Sequence, residues 1–184
     1  RNIFLQKPFK KFNRHYQVFK EKYKKTKWSI KPIINDQNNS LLDIKIKSKR
    51  KINDVIYDLK TKQKVLIATH KNKIKSYKVL SEESILKSQD SPLIVRIISP
   101  ENVRTGEKYE VNLIIEKPLD NGLTASGFMI LENENDMNIT NEIYGIKPAQ
   151  SGGLFKFIQA PSKPGTQTIS AIITHPEGIY SITK

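Results

Sequence analysis

The chain has no cysteine, which removes disulfides, thiolate nucleophiles and cysteine-based zinc sites from consideration at once. It has no apolar run of about 18 residues, so no segment of it would cross a bilayer as a helix. A charged n-region followed by an apolar h-region, the mark of a signal peptide, is also missing. Arginine is scarce: of the 32 basic residues only Arg1, Arg14, Arg50, Arg96 and Arg104 are arginine. The rest are lysine, a mobile, hydrated point charge poorly suited to bidentate readout of bases or carboxylates. That bias favours diffuse attraction to an anionic surface. Acidic residues are few where the lysines are dense. Residues 1–90 hold 24 Lys+Arg against 8 Asp+Glu, whereas residues 91–184 hold 8 against 10. Two regions so different in charge are expected to face different partners.

What remains is enough for folding. With 184 residues, 37% hydrophobic and 27% charged, the chain can build one large or two small domains with a modest core. It begins at Arg1 rather than methionine and ends in the strand-like Ile182-Thr183-Lys184, so further chain is expected on both sides.

Residues 1–30 read as a basic amphipathic helical segment. After Pro8, which suits a first helical turn, aromatic residues fall at Phe9, Phe12, Tyr16, Phe19 and Tyr23, in steps of 3, 4, 3 and 4. Lys10, Lys11, Arg14, Lys20, Lys24 and Lys25 cover the remaining surface, and Trp28 closes the segment. Extended chain is the competing reading, because aromatics favour strands. The stripe has three uses. It can pack on its own domain or another subunit, leaving the lysines solvated. It can enter a bilayer interface with lysines toward anionic headgroups. It can stack bases while lysines hold phosphates.

Residues 31–90 are expected to form a lysine-rich antiparallel β-meander with a short helix. Residues 31–40 are a turn-rich connection, after which Leu42, Ile44 and Ile46 alternate with Asp43, Lys45 and Lys47. Turns are expected at Ser48–Lys51, at Lys60–Lys62 and at Lys71-Asn72, and Ser81-Glu82-Glu83 is expected to cap a helix running to about Lys87. Lysines along the meander would guard its exposed edges. Gln89–Pro92 reads as a linker.

Residues 91–184 carry strand-like runs at 93–99, 109–116, 125–132, 153–160, 166–174 and 178–184, separated by proline- and glycine-rich turns. The stretches SPENVRTGEKYEVNL (99–113) and FKFIQAPSKPGTQTISAII (155–173), with Ser99-Pro100, Val103, Gly106, Tyr109, Val111, Ala160-Pro161 and Pro164-Gly165, resemble bacterial immunoglobulin-like or fibronectin type III-like β-sandwich modules. The antibody-type Cys…Trp…Cys core is absent. The resemblance implies a sandwich used for spacing, adhesion or assembly, without chemistry. The expected fold is therefore mainly β: a basic amphipathic helix, a small antiparallel meander and an immunoglobulin-like β-sandwich.

No catalytic constellation emerges. His15, His70 and His175 stand apart from one another and from carboxylates at ligand spacing, and read as surface or turn residues. Glu132, Glu134 and Asp136 alternate as in a calcium loop, but Met137 and Ile143 occupy the positions that need Gly and Glu, so a solvated acidic loop is the better reading. Ser151-Gly152-Gly153 lacks phosphate-loop spacing and reads as a turn into a strand. No G-x-S-x-G occurs. Sequons at Asn38 and Asn138 matter only in a eukaryotic secretory setting. No metal site and no cofactor are expected.

These readings point to a non-catalytic interaction or assembly module. It would be membrane-associated or extracytoplasmic, with a basic face toward an anionic membrane surface and the sandwich toward a protein partner. The anion-binding residues would be the six basic residues of 1–30, with the aromatic stripe and Trp28 for packing or insertion. The alternative is a nucleic-acid-associated peripheral subunit of a cytoplasmic ribonucleoprotein, ranked second because nucleic-acid readers draw more on arginine. A second alternative is an accessory carbohydrate-binding domain using aromatics of the second half.

Overall fold

A computed structural model describes residues 6–35, 39–116, 125–131, 145, 147–148 and 152–184. The acidic loop, Ser151 and the sequon asparagines Asn38 and Asn138 lie outside these residues. The chain is mainly β: one helix, then antiparallel strands. It divides into two compact units, Arg1–Ile85 and Leu86–Lys184.

The first unit is one helix and a four-stranded meander. Helix α1 spans Gln6–Lys22, and β1 (Lys25–Asn35), β2 (Asn39–Ile52), β3 (Val55–His70) and β4 (Lys73–Ser88, in this unit to Ile85) follow in spatial order β1-β2-β3-β4. Five expectations need correcting. Trp28 does not close the helix but lies in β1, and residues 31–35, expected as a connection, continue that strand. The turns expected at Ser48–Lys51 and Lys60–Lys62 are strand interior: β2 and β3 pair without interruption from Asn39↔Ala68 to Ile52↔Val55. The helix expected at 81–87 is part of β4.

The physical reasons are local. The hairpins turn at Asn53-Asp54 and Lys71-Asn72, where all four residues have positive φ (34–60°). Two-residue turns of this kind match the right-handed strand twist, and Asn and Asp tolerate the left-handed region best. The lysine clusters at 48–51 and 60–62 contain no such residue. Ser48, read as a turn, is buried; its hydroxyl lies 2.9 Å from the Thr26 hydroxyl and donates to the Lys25 carbonyl at 2.7 Å, tying β2 to β1. The Ser81-Glu82-Glu83 segment serves cross-strand bonding. Glu82 accepts from the Gln63 amide at 2.5 Å and from Ser84, whose hydroxyl is 2.8 Å from that of Thr61.

In the second unit, β5 (Val95–Ile98), β6 (Lys108–Ile115) and β9 (Gly153–Gln159) form one antiparallel sheet in the order β5-β6-β9. β7 (Ala125–Leu131), the two-residue β8 (Lys147–Pro148), β10 (Thr168–His175) and β11 (Gly178–Thr183) form another, ordered β11-β10-β7-β8. The six strands expected here are all present, with ends displaced by one or two residues. Their inward positions make the core: Val111 and Leu113 on β6, Ile158 on β9, Ile169, Ala171 and Ile173 on β10, Tyr180 and Ile182 on β11, with Leu93 before β5. Each large side chain among these contributes roughly 1.5–3 kcal/mol by leaving water. The Tyr180 hydroxyl donates to the Val95 carbonyl at 3.1 Å, linking the two sheets.

Two glycines are required by close approach. A Cβ on Gly153 (φ +141°) would meet the Leu113 carbonyl of β6, and one on Gly178 (φ +149°) would meet the Ser88 hydroxyl. That hydroxyl accepts from the Ile179 N–H at 2.7 Å, so Gly178 lets the end of β4 bond directly to β11.

Candidate anion-binding face

The register of β1, β2 and β3 decides where the lysines go. Successive residues of a strand point to opposite faces, and partners directly across a ladder share a face. Pairs Trp28↔Ile46, Ile30↔Ile44, Ile46↔Thr61 and Leu42↔Val65 define one face of the first sheet. It holds the buried residues Ile46, Ser48, Leu59, Thr61 and Val65. The opposite face is built from Lys27↔Lys47↔Lys60, Lys25↔Lys49↔Asp58, Ser29↔Lys45↔Lys62 and Lys31↔Asp43↔Lys64, with Lys51 beyond. All ten lysines on it are exposed.

Sheet geometry sets the backbone positions of these lysines about 4.8 Å apart across strands and about 6.7 Å along them. Carboxylates offset part of the array. Lys45 pairs with Asp43 at 3.7 Å, Lys49 with Asp58 at 3.4 Å and Lys62 with Glu83 at 3.7 Å. Lys51 pairs with Asp54 at 2.9 Å at the hairpin end. The central row, Lys27, Lys47 and Lys60, has no ion pair among the described residues. Like charges directly opposite one another destabilise a sheet, typically by about 0.2–1 kcal/mol per pair. A surface that tolerates this row is poised to gain from an anion laid across it.

The helix belongs to the other face. Phe19 stacks on Tyr23 (5.0 Å between centroids) and meets Trp28 edge-on at 5.7 Å, and Trp28 stands on the Ile46 face. Phe12 stacks on Tyr16 at 5.9 Å and meets Tyr77 of β4 edge-on at 6.0 Å. Phe9, Phe12 and Tyr16 are still a little over a third exposed. Of the six basic residues singled out in 1–30, Lys10, Arg14, Lys20 and Lys24 are exposed on or just after α1, and the Lys11 side chain lies outside the described ones. Lys25 alone sits on the lysine face, in β1 opposite Lys49.

The sequence reading singles out basic residues on and next to the helix, whereas the register of β1, β2 and β3 brings together a different set, Lys27, Lys31, Lys45, Lys47, Lys49, Lys51, Lys60, Lys62 and Lys64, with Lys25 common to both. The signal was present in the period-two alternation around Leu42–Lys47, which was read as edge protection.

Among the described residues of β1, β2 and β3, no Phe, Tyr, Trp or Arg shares the lysine face: Arg50 is opposite Tyr57 on the other side. The face can attract phosphate or carboxylate charge, but it has no stacking platform and no bidentate reader. His15 and His70 are exposed. His175 accepts the Glu177 N–H on Nδ1 at 3.2 Å, and its buried Nε2 has no partner among the described residues. Among the described residues no cluster of three or more His, Asp or Glu could hold a metal ion. No helix among them is long and apolar enough to cross a membrane.

A family model described as "Domain of unknown function (DUF8623)" matches residues 90–184. No curated protein and no solved structure matches the chain.

Proposed function

Since the chain belongs to the DUF8623 family, whose description assigns no activity, we propose from residue chemistry that the protein is a non-catalytic interaction module. The lysine face of its first unit holds an anionic lipid surface, and its second unit, read as an immunoglobulin-like sandwich, meets a protein partner. The observation that carries this is the row Lys27–Lys47–Lys60 at the centre of ten co-facial lysines. The array extends in two dimensions, three strands wide and up to four lysines long. Anionic headgroups are also distributed in two dimensions, and each lysine near such a surface contributes about 1 kcal/mol. A single nucleic-acid strand presents its phosphates along a line, and the face lacks the aromatics that would stack its bases. The lysine bias already ranks the lipid surface first, and the arrangement adds to that ranking.

The test is co-sedimentation of the full chain with phosphatidylserine-containing and with neutral vesicles, across a salt series and with RNA as competitor. Binding should require the anionic lipid, weaken with salt because lysine charge dominates this face, and fall sharply in a Lys27→Glu/Lys47→Glu/Lys60→Glu variant. Vesicle binding unchanged in that variant would sink the assignment to this face. Capture of the protein by RNA in preference to vesicles would transfer the face to nucleic acid.

A further inference from the structure

The second unit carries an exposed apolar surface that none of its described residues covers. β9 pairs with β6 through Lys108↔Gln159 to Ile114↔Gly153, and ends the order β5-β6-β9. On its other side no strand pairs with it among the described residues. Leu154, Lys156 and Ile158 share the face of Leu113, Val111 and Tyr109, so Phe155 and Phe157 point outward, opposite Asn112 and Glu110. The outer face of a sandwich sheet is normally polar. Here Phe155 is 51% exposed, Phe157 is 79% exposed, and Ile98 stands in the same cross-strand row as Phe155, itself exposed.

A second observation lies along the same strand. A groove of about 500 Å³ runs beside β9, lined by Phe128, Ile130, Leu154, Phe155, Phe157 and Ile158, with Lys147 and Lys156 supplying its charges. The described lining includes no Asp or Glu. Among the described residues β9 thus has an edge with no strand on it, with Phe155 and Phe157 exposed along it and a groove beside it that they help to line and to which Lys147 and Lys156 bring two ammonium groups.

We infer that β9 accepts an added strand from a partner protein: an extended segment, apolar at alternate positions and carrying carboxylates. Main-chain hydrogen bonds to the open side of β9 would supply affinity. Alternate side chains would fall on Phe155 and Phe157 or into the groove, which is how strand addition gains specificity. Carboxylates would meet Lys147 and Lys156. The area argues for a strand rather than a globular face. Phe155, Phe157, Ile94 and Ile98 expose roughly 400 Å² of apolar side chain, about half of the ~800 Å² one partner buries in a standard interface. The inference deepens the partner half of the proposed function and is independent of the lysine face.

The test uses the full chain and a fluorescein-labelled synthetic peptide of alternating valine and threonine ending in two glutamates, followed by anisotropy. The peptide should bind saturably. A version with a central proline, which cannot complete the strand ladder, should bind about tenfold more weakly. Phe157→Ser should weaken binding about tenfold without lowering Tm, since that side chain is exposed, and Lys156→Gln should weaken it less. Lys47→Glu should leave it unchanged. Absence of saturable binding at millimolar peptide, or equal binding of the proline version, would overturn the inference. Loss of binding in Lys47→Glu would mean that the glutamates sit on the lysine face, which also overturns it. Neutral-vesicle binding that Phe157→Ser abolishes, without peptide binding, would give the patch to lipid instead.

Discussion

Lys47→Gln should make the protein more stable and worse at holding an anionic surface. Lys47 sits at the centre of the lysine face, directly opposite Lys27 on one side and Lys60 on the other, with Lys45 and Lys49 two residues away along its own strand. Lys45 and Lys49 are balanced by Asp43 and Asp58, whereas Lys27 and Lys60 are not. Two ammonium groups about 7 Å apart in water repel by roughly 0.6 kcal/mol, and side-chain splaying reduces this somewhat. Removing one charge that faces two others should therefore stabilise the first unit by about 1 kcal/mol at low salt. Trp28, the sole tryptophan, lies in β1 and reports on this unit by fluorescence during urea unfolding. In 1 M salt the Debye length falls to about 3 Å and the gain should nearly disappear. Lys31→Gln is the control, because Lys31 faces Asp43, and it should stabilise nothing. The reasoning fails if Lys47→Gln is neutral at low salt, if its effect persists in high salt, or if Lys31→Gln matches it. A gain in stability joined to a loss of vesicle binding is what a functional site held under electrostatic strain should show.

Two further outcomes follow from the second unit. Gly178→Ala should destabilise it by roughly 2–3 kcal/mol in chemical unfolding, because φ +149° disfavours a side chain and the new Cβ would displace the Ser88 hydroxyl from Ile179. Tyr109, whose hydroxyl donates to Gln167 at 2.5 Å, has its ionisation pushed above the ordinary phenol range by burial. The unfolded phenol then loses its proton first, so this group's contribution to stability is complete below about pH 10 and is lost as pH rises toward its folded value. Tyr109→Phe should shrink the fall in Tm between pH 9 and 11, and an unchanged fall would refute the assignment.

The two halves of the chain were unequally legible, for physical reasons. In residues 91–184, Pro100, Pro161, Pro164-Gly165 and Pro176 mark chain reversals that few other structures permit, so the strands between them could be located within a residue or two. In the first half, turns were assigned from polarity. Lysine is polar but has no backbone preference that stops a strand, whereas Asn53-Asp54 and Lys71-Asn72 occupy the left-handed region the hairpins need. Misplacing the turns hid the lysine face. Ten lysines become one face only after β2 and β3 run uninterrupted and their register is fixed, and register depends on the turn. The helix stripe was visible because its period is internal to one segment, and it drew the binding assignment toward itself. The edge position of β9 could not be read from sequence, because strand order is a property of pairing.

Replacing Lys27, Lys47 and Lys60 by arginine separates the two ways a basic face can work. The charge is conserved, so the cross-strand repulsion and the stability should stay close to those of the native chain, in contrast to Lys47→Gln. What changes is the donor. Guanidinium is less hydrated and binds a phosphate with two parallel hydrogen bonds, whereas ammonium acts as a point charge. If the face holds a diffuse, laterally mobile layer of headgroups, geometry contributes little. Vesicle affinity should then shift by less than about threefold, with the same dependence on salt. If it holds fixed phosphates of a nucleic-acid backbone, arginine should tighten binding to RNA or duplex DNA by tenfold or more, since each charge-assisted bidentate contact is roughly twice as strong as a simple one. Parallel titrations with phosphatidylserine vesicles and with an RNA duplex measure both. A large gain confined to nucleic acid would refute the lipid assignment, even if both ligands bind the native chain, because only a ligand with phosphates in fixed positions can exploit the fork.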